Sequence, residues 1–132
     1  MMAARTNKNV PAPDAVFSNI TTKFEAYTGD EPYLFVSYSH RDVEQVYPIL
    51  DALYDRKYRI WYDESCENGS DFREELRTRI QNSEAVLLFV SAASMASPFC
   101  GMEIIVACEC GKRLFPIYLD DAAVPPAFEL LL

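Results

Sequence analysis

Residues 84–111 read EAVLLFVSAASMASPFCGMEIIVACECG, an apolar run that breaks on Ser91, Ser94 and Ser97 and then resumes. The first part, 84–90, has the length and composition of a strand covered on both faces. Ser97 suits a helix N-cap and Pro98 the first helical position, which predicts a helix from there to Cys110 with Gly111 just past its end. Within that helix the only charges are Glu103 and Glu109. A carboxylate in the second turn, among Phe, Met, Ile, Val, Ala and Cys, loses hydration without an obvious cation nearby. Burial with few partners raises a carboxylate's pKa and is tolerated mainly where chemistry requires it. Glu103 is therefore a candidate for chemistry.

Outward from this stretch, apolar runs and helical patterns alternate. Residues 33–38 predict a first strand. Val43, Val46, Tyr47, Leu50, Leu53 and Tyr54 then form a helical stripe, in which Pro48 is expected to kink the helix or delay its regular start. Residues 58–62 predict a second strand and 63–69 a loop. Ser70 caps a second helix marked by Phe72, Leu76 and Ile80, with Asp71, Glu74 and Glu75 at its positive end. Residues 113–119 supply a fourth strand, whose Pro116 suits an outer position. This order predicts an α/β fold, a flavodoxin-like doubly wound parallel sheet. Ligands in such sheets bind beyond the carboxyl ends of the strands, where 37–42, 63–69 and 91–103 all fall. The run Leu130, Leu131, Leu132 has no partner element after it, and the expectation is an absent last strand and helix. Residues 1–30 form an N-terminal extension ahead of the domain at 31–132. In it Phe17, Ile20, Phe24 and Tyr27 recur at helical spacing between Asp14 and Gly29, which predicts a short amphipathic helix.

Composition narrows the functional classes. A chain of 132 residues suits one domain, and eight Tyr, eight Phe and one Trp place it among globular proteins. The net charge of −8 argues against sequence-independent nucleic-acid binding and against anionic membranes. No apolar run approaches the roughly 20 residues of a membrane span, and the N-terminus lacks a secretory core, so a cytoplasmic location is expected. Cys66, Cys100, Cys108 and Cys110 form no C-x-x-C pair and His40 is the single histidine, which argues against a metal site. Three of these cysteines lie in or beside the apolar helix and are expected to be buried hydrophobes.

Four motifs in order carry a family resemblance: Phe35-Val36-Ser37-Tyr38-Ser39-His40, Trp61-Tyr62-Asp63-Glu64, the serine ladder to Glu103, and Phe115-Pro116-Ile117-Tyr118-Leu119-Asp120. Together they resemble the Toll/interleukin-1 receptor (TIR) domain in its bacterial form, over about residues 32–132. In TIR enzymes the glutamate matching Glu103 is the catalytic residue of an NAD+ glycohydrolase or cyclase that acts on self-assembly. The resemblance thus implies NAD+ as substrate, no separate cofactor, other TIR domains as partners, and a part in immune or stress signalling. It also implies a self-association loop of Asp63, Glu64, Ser65, Cys66, Glu67, Asn68 and Gly69. The substrate-binding candidates are Ser37, Tyr38, Arg41, Asp63, Ser91 and Phe99. Two positions depart from the family pattern: Phe99 stands where Trp is common, keeping a face for stacking, and Asn68 stands where Pro usually precedes the loop glycine.

The chemistry accommodates a single carboxylate. Glycosidases need an acid for the leaving oxygen and a second carboxylate at the anomeric centre. Nicotinamide leaves NAD+ as a neutral ring from a cationic nitrogen, so no proton donor is required and one anion can stabilise the charge on the ribose. The pyrophosphate meets a loop crowded by Asp63, Glu64 and Glu67. Arg41 is the nearest counter-charge, with the helix N-termini after Ser39 and Ser97 as further donors. His40 reads as a wall or surface residue and Trp61 as core. A phosphoacceptor receiver is excluded because Ser37-Tyr38-Ser39 and Ser91 stand where acids are needed. A dinucleotide-binding Rossmann domain is excluded by the absence of G-x-G-x-x-G. The remaining alternative is a non-catalytic TIR scaffold making homotypic contacts.

Overall fold

The structure, a computed structural model, describes residues 20–63, 70–129 and 131–132. Eight elements run in the order β1 (Leu34–Ser37), α1 (Val43–Asp55), β2 (Ile60–Tyr62), α2 (Ser70–Gln81), β3 (Ala85–Val90), α3 (Ala92–Met95), α4 (Pro98–Glu109) and β4 (Leu114–Tyr118), with short 3-10 turns at His40–Asp42 and Pro126–Phe128. The four strands form one sheet in the order β2-β1-β3-β4. All pairs are parallel, with Phe35 opposite both Trp61 and Val86, and Leu88 opposite Pro116. Pro116 therefore lies on the outer strand of the described sheet, where a missing N–H is tolerated.

Strand alternation divides the core into two layers. Val36, Tyr38, Ile60, Tyr62, Leu87 and Phe89 face α1 and pack on its Val43, Val46, Tyr47 and Leu50. Phe35, Trp61 and Val86 face the other way, onto Leu76 and Ile80 of α2 and Val106 and Ala107 of α4. Leu88 and Val90 extend that second layer to Ile104. Because β3 is buried at all six positions, it shows no polar alternation in sequence. Full burial of side chains such as Phe89 and Leu50 contributes roughly 1.5–3 kcal/mol each.

Three local expectations need correction. The first concerns α1, which starts at Val43 and runs through Pro48, so of the two effects expected of that proline the delayed start does not occur. Pro48 and Glu44, whose carbonyl loses its intrahelical partner, are both exposed, so water can replace the missing bond. The second concerns the N-terminal extension, where residues 20–27 carry no helix. There Thr22 Oγ1 bonds the Phe24 carbonyl and meets the Tyr62 hydroxyl, an alternative to helical hydrogen bonding. The apolar side chains at helical spacing are partly buried anyway: Phe24 stacks on Tyr54 at 4.5 Å, and the Tyr27 N–H donates to the Ile60 carbonyl. Asp14 and Phe17 lie outside the described residues. The third concerns the cysteines, of which Cys100 is buried while Cys108 is exposed and Cys110 intermediate, all three as free thiols. Cys66 lies outside the described residues.

Residue 97 does cap α4. Ser97 accepts from the Cys100 N–H at 3.3 Å, and Pro98 follows in the first turn. Past the other end Gly111 takes φ +69°, the left-handed conformation that glycine adopts at least cost. Ser97→Ala is expected to lower stability by about 1 kcal/mol. A urea midpoint that does not move would show that the cap contributes nothing.

Candidate functional site

The geometry of the sheet brings Ser37 and Glu103 together. Ser37 ends β1 and shares parity with Phe35, so it points to the α4 layer, whereas Tyr38 points to the α1 layer. Glu103 lies one turn before Ala107 on the buried side of α4. Ser37 Oγ donates to Glu103 Oε1 at 2.5 Å, and the two residues are only 1% and 7% exposed. Among the described residues no lysine or arginine pairs with this carboxylate. Burial pushes the Glu103 carboxyl from 4.5 up to about 8; the Ser37 hydrogen bond opposes the rise and the negative charge of Asp63 adds to it. Glu103 is therefore mostly neutral at pH 7 in the free protein.

Beside this pair lies Cys100, on the preceding turn of α4. Burial first, then Glu103, pushes its thiol up to about 12, against hydrogen bonds from Ser97 and Ser37. A thiol so far above neutrality is no nucleophile.

The remaining candidates divide between the two sides of the strand ends. On the α1 side, Tyr38 donates its hydroxyl to the Asp63 carbonyl at 2.6 Å and lies 2.9 Å from the Tyr47 hydroxyl. A phenol has one proton, so Tyr47 is the donor to Tyr38. Burial, reinforced by Tyr47, holds the Tyr38 phenol well above its ordinary range. His40 Nε2 meets the same Asp63 carbonyl at 3.0 Å, so the end of β2 is tied to the turn after β1. Ser91 donates to Asp42 Oδ2 and also accepts from the Ser94 N–H at 3.0 Å. Arg41 is exposed on the 3-10 turn and forms no ion pair among the described residues. Phe99, one helical turn before Glu103, is half-buried against the layer containing Trp61.

Two parts of the site were not anticipated from sequence. The first is α3, where Ser91 and Ser94 form a reciprocal capping box over a four-residue helix. The S-x-x-S spacing at Ser91 was its available signal. The second is Asp42, which links the β1 end to the β3 end through Ser91. Of the segment expected to serve as a self-association loop, Glu64, Ser65, Cys66, Glu67, Asn68 and Gly69 lie outside the described residues, and Asp63 ends the described part. Trp61 is core, stacked on Phe35 at 5.1 Å under the Arg79 guanidinium. A cavity of about 410 Å³ opens at the opposite end of the sheet, beside Phe24, Tyr54 and Arg59, and contains none of the candidate residues. Among the described residues no group of three His, Cys, Asp or Glu side chains is placed to hold a metal. No helix among them is long and apolar enough to cross a membrane.

Comparison with known proteins completes the description. Residues 34–131 match the family model described as the TIR domain. Among solved structures, the chain is similar to the TIR domain of the Toll-related receptor TRR-2 from Hydra magnipapillata, with a TM-score of 0.65 and 16% identity. That match covers 75% of this chain and 79% of the Hydra chain, and at such identity it speaks for the fold alone. No curated protein matches the sequence.

Proposed function

Because this chain belongs to the TIR domain family, we propose that it cleaves the nicotinamide–ribose bond of NAD+ when its TIR domains assemble, with Glu103 as the catalytic residue. The observation that carries this reading is the burial of Glu103 at the carboxyl end of the sheet with a serine and, among the described residues, no cation as its hydrogen-bond partner. A structural carboxylate at such a depth normally has a counter-charge. One held without a counter-charge is suited to receiving a cation during a reaction.

Cleavage of NAD+ develops that cation. As the C–N bond breaks, nicotinamide departs neutral and positive charge moves onto the ribose. The Glu103 carboxylate, beneath a water-excluded helix face, stabilises that charge more strongly than it would in bulk water. Both the cationic nicotinamide and the oxocarbenium ion favour ionised Glu103, so substrate lowers the pKa that burial has raised. Water then attacks the ribose to give ADP-ribose, or an intramolecular acceptor gives a cyclic product. Phe99 offers a ring face, and Arg41 is the cation available to the pyrophosphate. Ile105, Phe115 and Tyr118, each about half exposed on α4 and β4, are apolar surface for association between copies.

The test is nicotinamide release from NAD+ by the protein in its assembled state. Release dependent on assembly supports the reading. Intact NAD+ after incubation with assembled protein would overturn it in favour of a binding scaffold.

The protonation state gives a second expectation. For the free enzyme, kcat/KM should rise about tenfold per pH unit toward a midpoint near 8. A profile flat from pH 6 to 9 would contradict an ionised Glu103 as the working form.

A further inference from the structure

The Ser37 hydroxyl is committed to Glu103 rather than open to a ligand. It is 1% exposed and held at the last position of a central strand, where it lies opposite Leu88 of β3. The backbone there is fixed by the sheet, so the direction of the hydroxyl is fixed too. It donates to Oε1 at 2.5 Å, with the Cys100 thiol also within its reach. No hydrogen bond from a described residue reaches Oε2, and no fully buried side-chain oxygen or nitrogen among the described residues lacks a partner, so Oε2 keeps a trace of surface. One carboxylate oxygen is thus held by the scaffold and the other is left unengaged by it.

We propose that Ser37 is the positioning residue for Glu103: from the end of β1 it orients the carboxyl through Oε1 and leaves Oε2 for the ligand. This rests on the NAD+-cleaving reading for its consequence in activity, and on geometry for its effect on the carboxyl itself.

The surrounding groups leave no substitute for this hydroxyl. Asp63 at the end of β2 carries negative charge and pushes toward the neutral acid. On α4, Cys100 remains a thiol. Asp42, in the turn after β1, accepts from Ser91. Tyr38 is directed to the Asp63 carbonyl, as is His40 Nε2. Against the desolvation of Glu103, the Ser37 hydrogen bond is the one contribution that favours the anion.

The experiment compares wild type, Ser37→Ala and Ser37→Thr in two readouts. The first is the 13C carboxyl signal of Glu103 against pH, assigned by its loss in Glu103→Gln. The second is the pH profile of nicotinamide release by assembled protein. Ser37→Ala is expected to move both midpoints upward by about one pH unit, while Ser37→Thr, which keeps the donor, stays near wild type. A residue that only fills space would lower the rate equally at all pH values without moving a midpoint. If Ser37→Ala fails to fold, Ser37→Cys, a weak donor of similar size, is expected to give the same upward displacement. Unmoved carboxyl midpoints overturn the proposal whatever the activity. No release from wild type, with the carboxyl midpoint still displaced in Ser37→Ala, overturns the enzymatic reading and leaves the positioning role standing.

Discussion

Glu103→Gln is expected to reduce nicotinamide release by at least about a hundredfold, the scale of losing one preorganised electrostatic contact in a water-excluded site. Glutamine has the same shape and still accepts from Ser37, so packing and substrate access are preserved while the negative charge is removed. Because the interaction strengthens as positive charge moves onto the ribose, kcat should fall by much more than KM rises. Glu103→Asp should be impaired as well, since the shorter side chain cannot keep both the Ser37 contact and its reach toward a ligand. The Glu103 variants are informative only alongside a folding check. Rates within tenfold of wild type for correctly folded Glu103→Gln would remove this residue from the chemistry.

The same substitution should stabilise the fold, increasingly so as pH rises. In the folded protein the Glu103 carboxyl titrates near 8, against 4.5 for the free group. Between those values the folded state holds a proton that the unfolded chain has released, so wild-type stability falls as pH rises. The advantage of the buried neutral acid is full below about pH 4.5 and is lost as pH passes through about 8. Glutamine does not titrate. The stability of Glu103→Gln relative to wild type should therefore grow by on the order of 3–5 kcal/mol between pH 4.5 and pH 8.5. Urea denaturation at a series of pH values measures this difference directly. A difference independent of pH would mean that burial does not strain the carboxylate.

These two effects have opposite signs because the site trades stability for function. A buried acid without a counter-charge weakens the fold near neutrality and strengthens the interaction with a developing cation. The Ser37 hydrogen bond moderates the cost without cancelling it. Nothing in α4 apart from Glu103 makes such a demand: Ile104, Val106 and Ala107 pack as ordinary core, and Glu109 reaches Arg77 at the surface at 2.8 Å.

Several parts of this arrangement were legible in the sequence. The strand–helix alternation and its order are carried by long apolar runs and strong end signals, of which Ser97, Pro98 and Gly111 are the clearest. The burial of Glu103 was legible because its helix offers so few polar neighbours. Its pairing with Ser37 was less accessible. Both faces of β1 are covered, so Leu34, Phe35 and Val36 show no alternation that would reveal which way Ser37 points. Only the packing of α4 on the Phe35 face decides it. Tertiary contacts likewise overrode the helical spacing of Ile20, Phe24 and Tyr27: without a helix, Phe24 found aromatic partners on α1 and β2, Tyr27 found Tyr33, and Ile20 packs on the α1 layer. The division of the candidates, with Ser37 and Glu103 on one face and Tyr38, Asp42 and Ser91 on the other, also required the sheet.

The exposed position of Cys108 has a similar origin. An apolar helix packed on one side of a sheet still has an outer face, and here Ile105 and Cys108 occupy it. Hydrophobic composition alone does not distinguish that face from the buried one when almost every residue is apolar.

The central claim is that Glu103 is an acid deprived of water and counter-charge. The measurement that bears on it most directly is the pH titration of the Glu103 side-chain carboxyl carbon in folded wild-type protein, observed by 13C NMR without NAD+. The account predicts a midpoint near 8; a midpoint at the 4.5 of a solvated glutamate would contradict it.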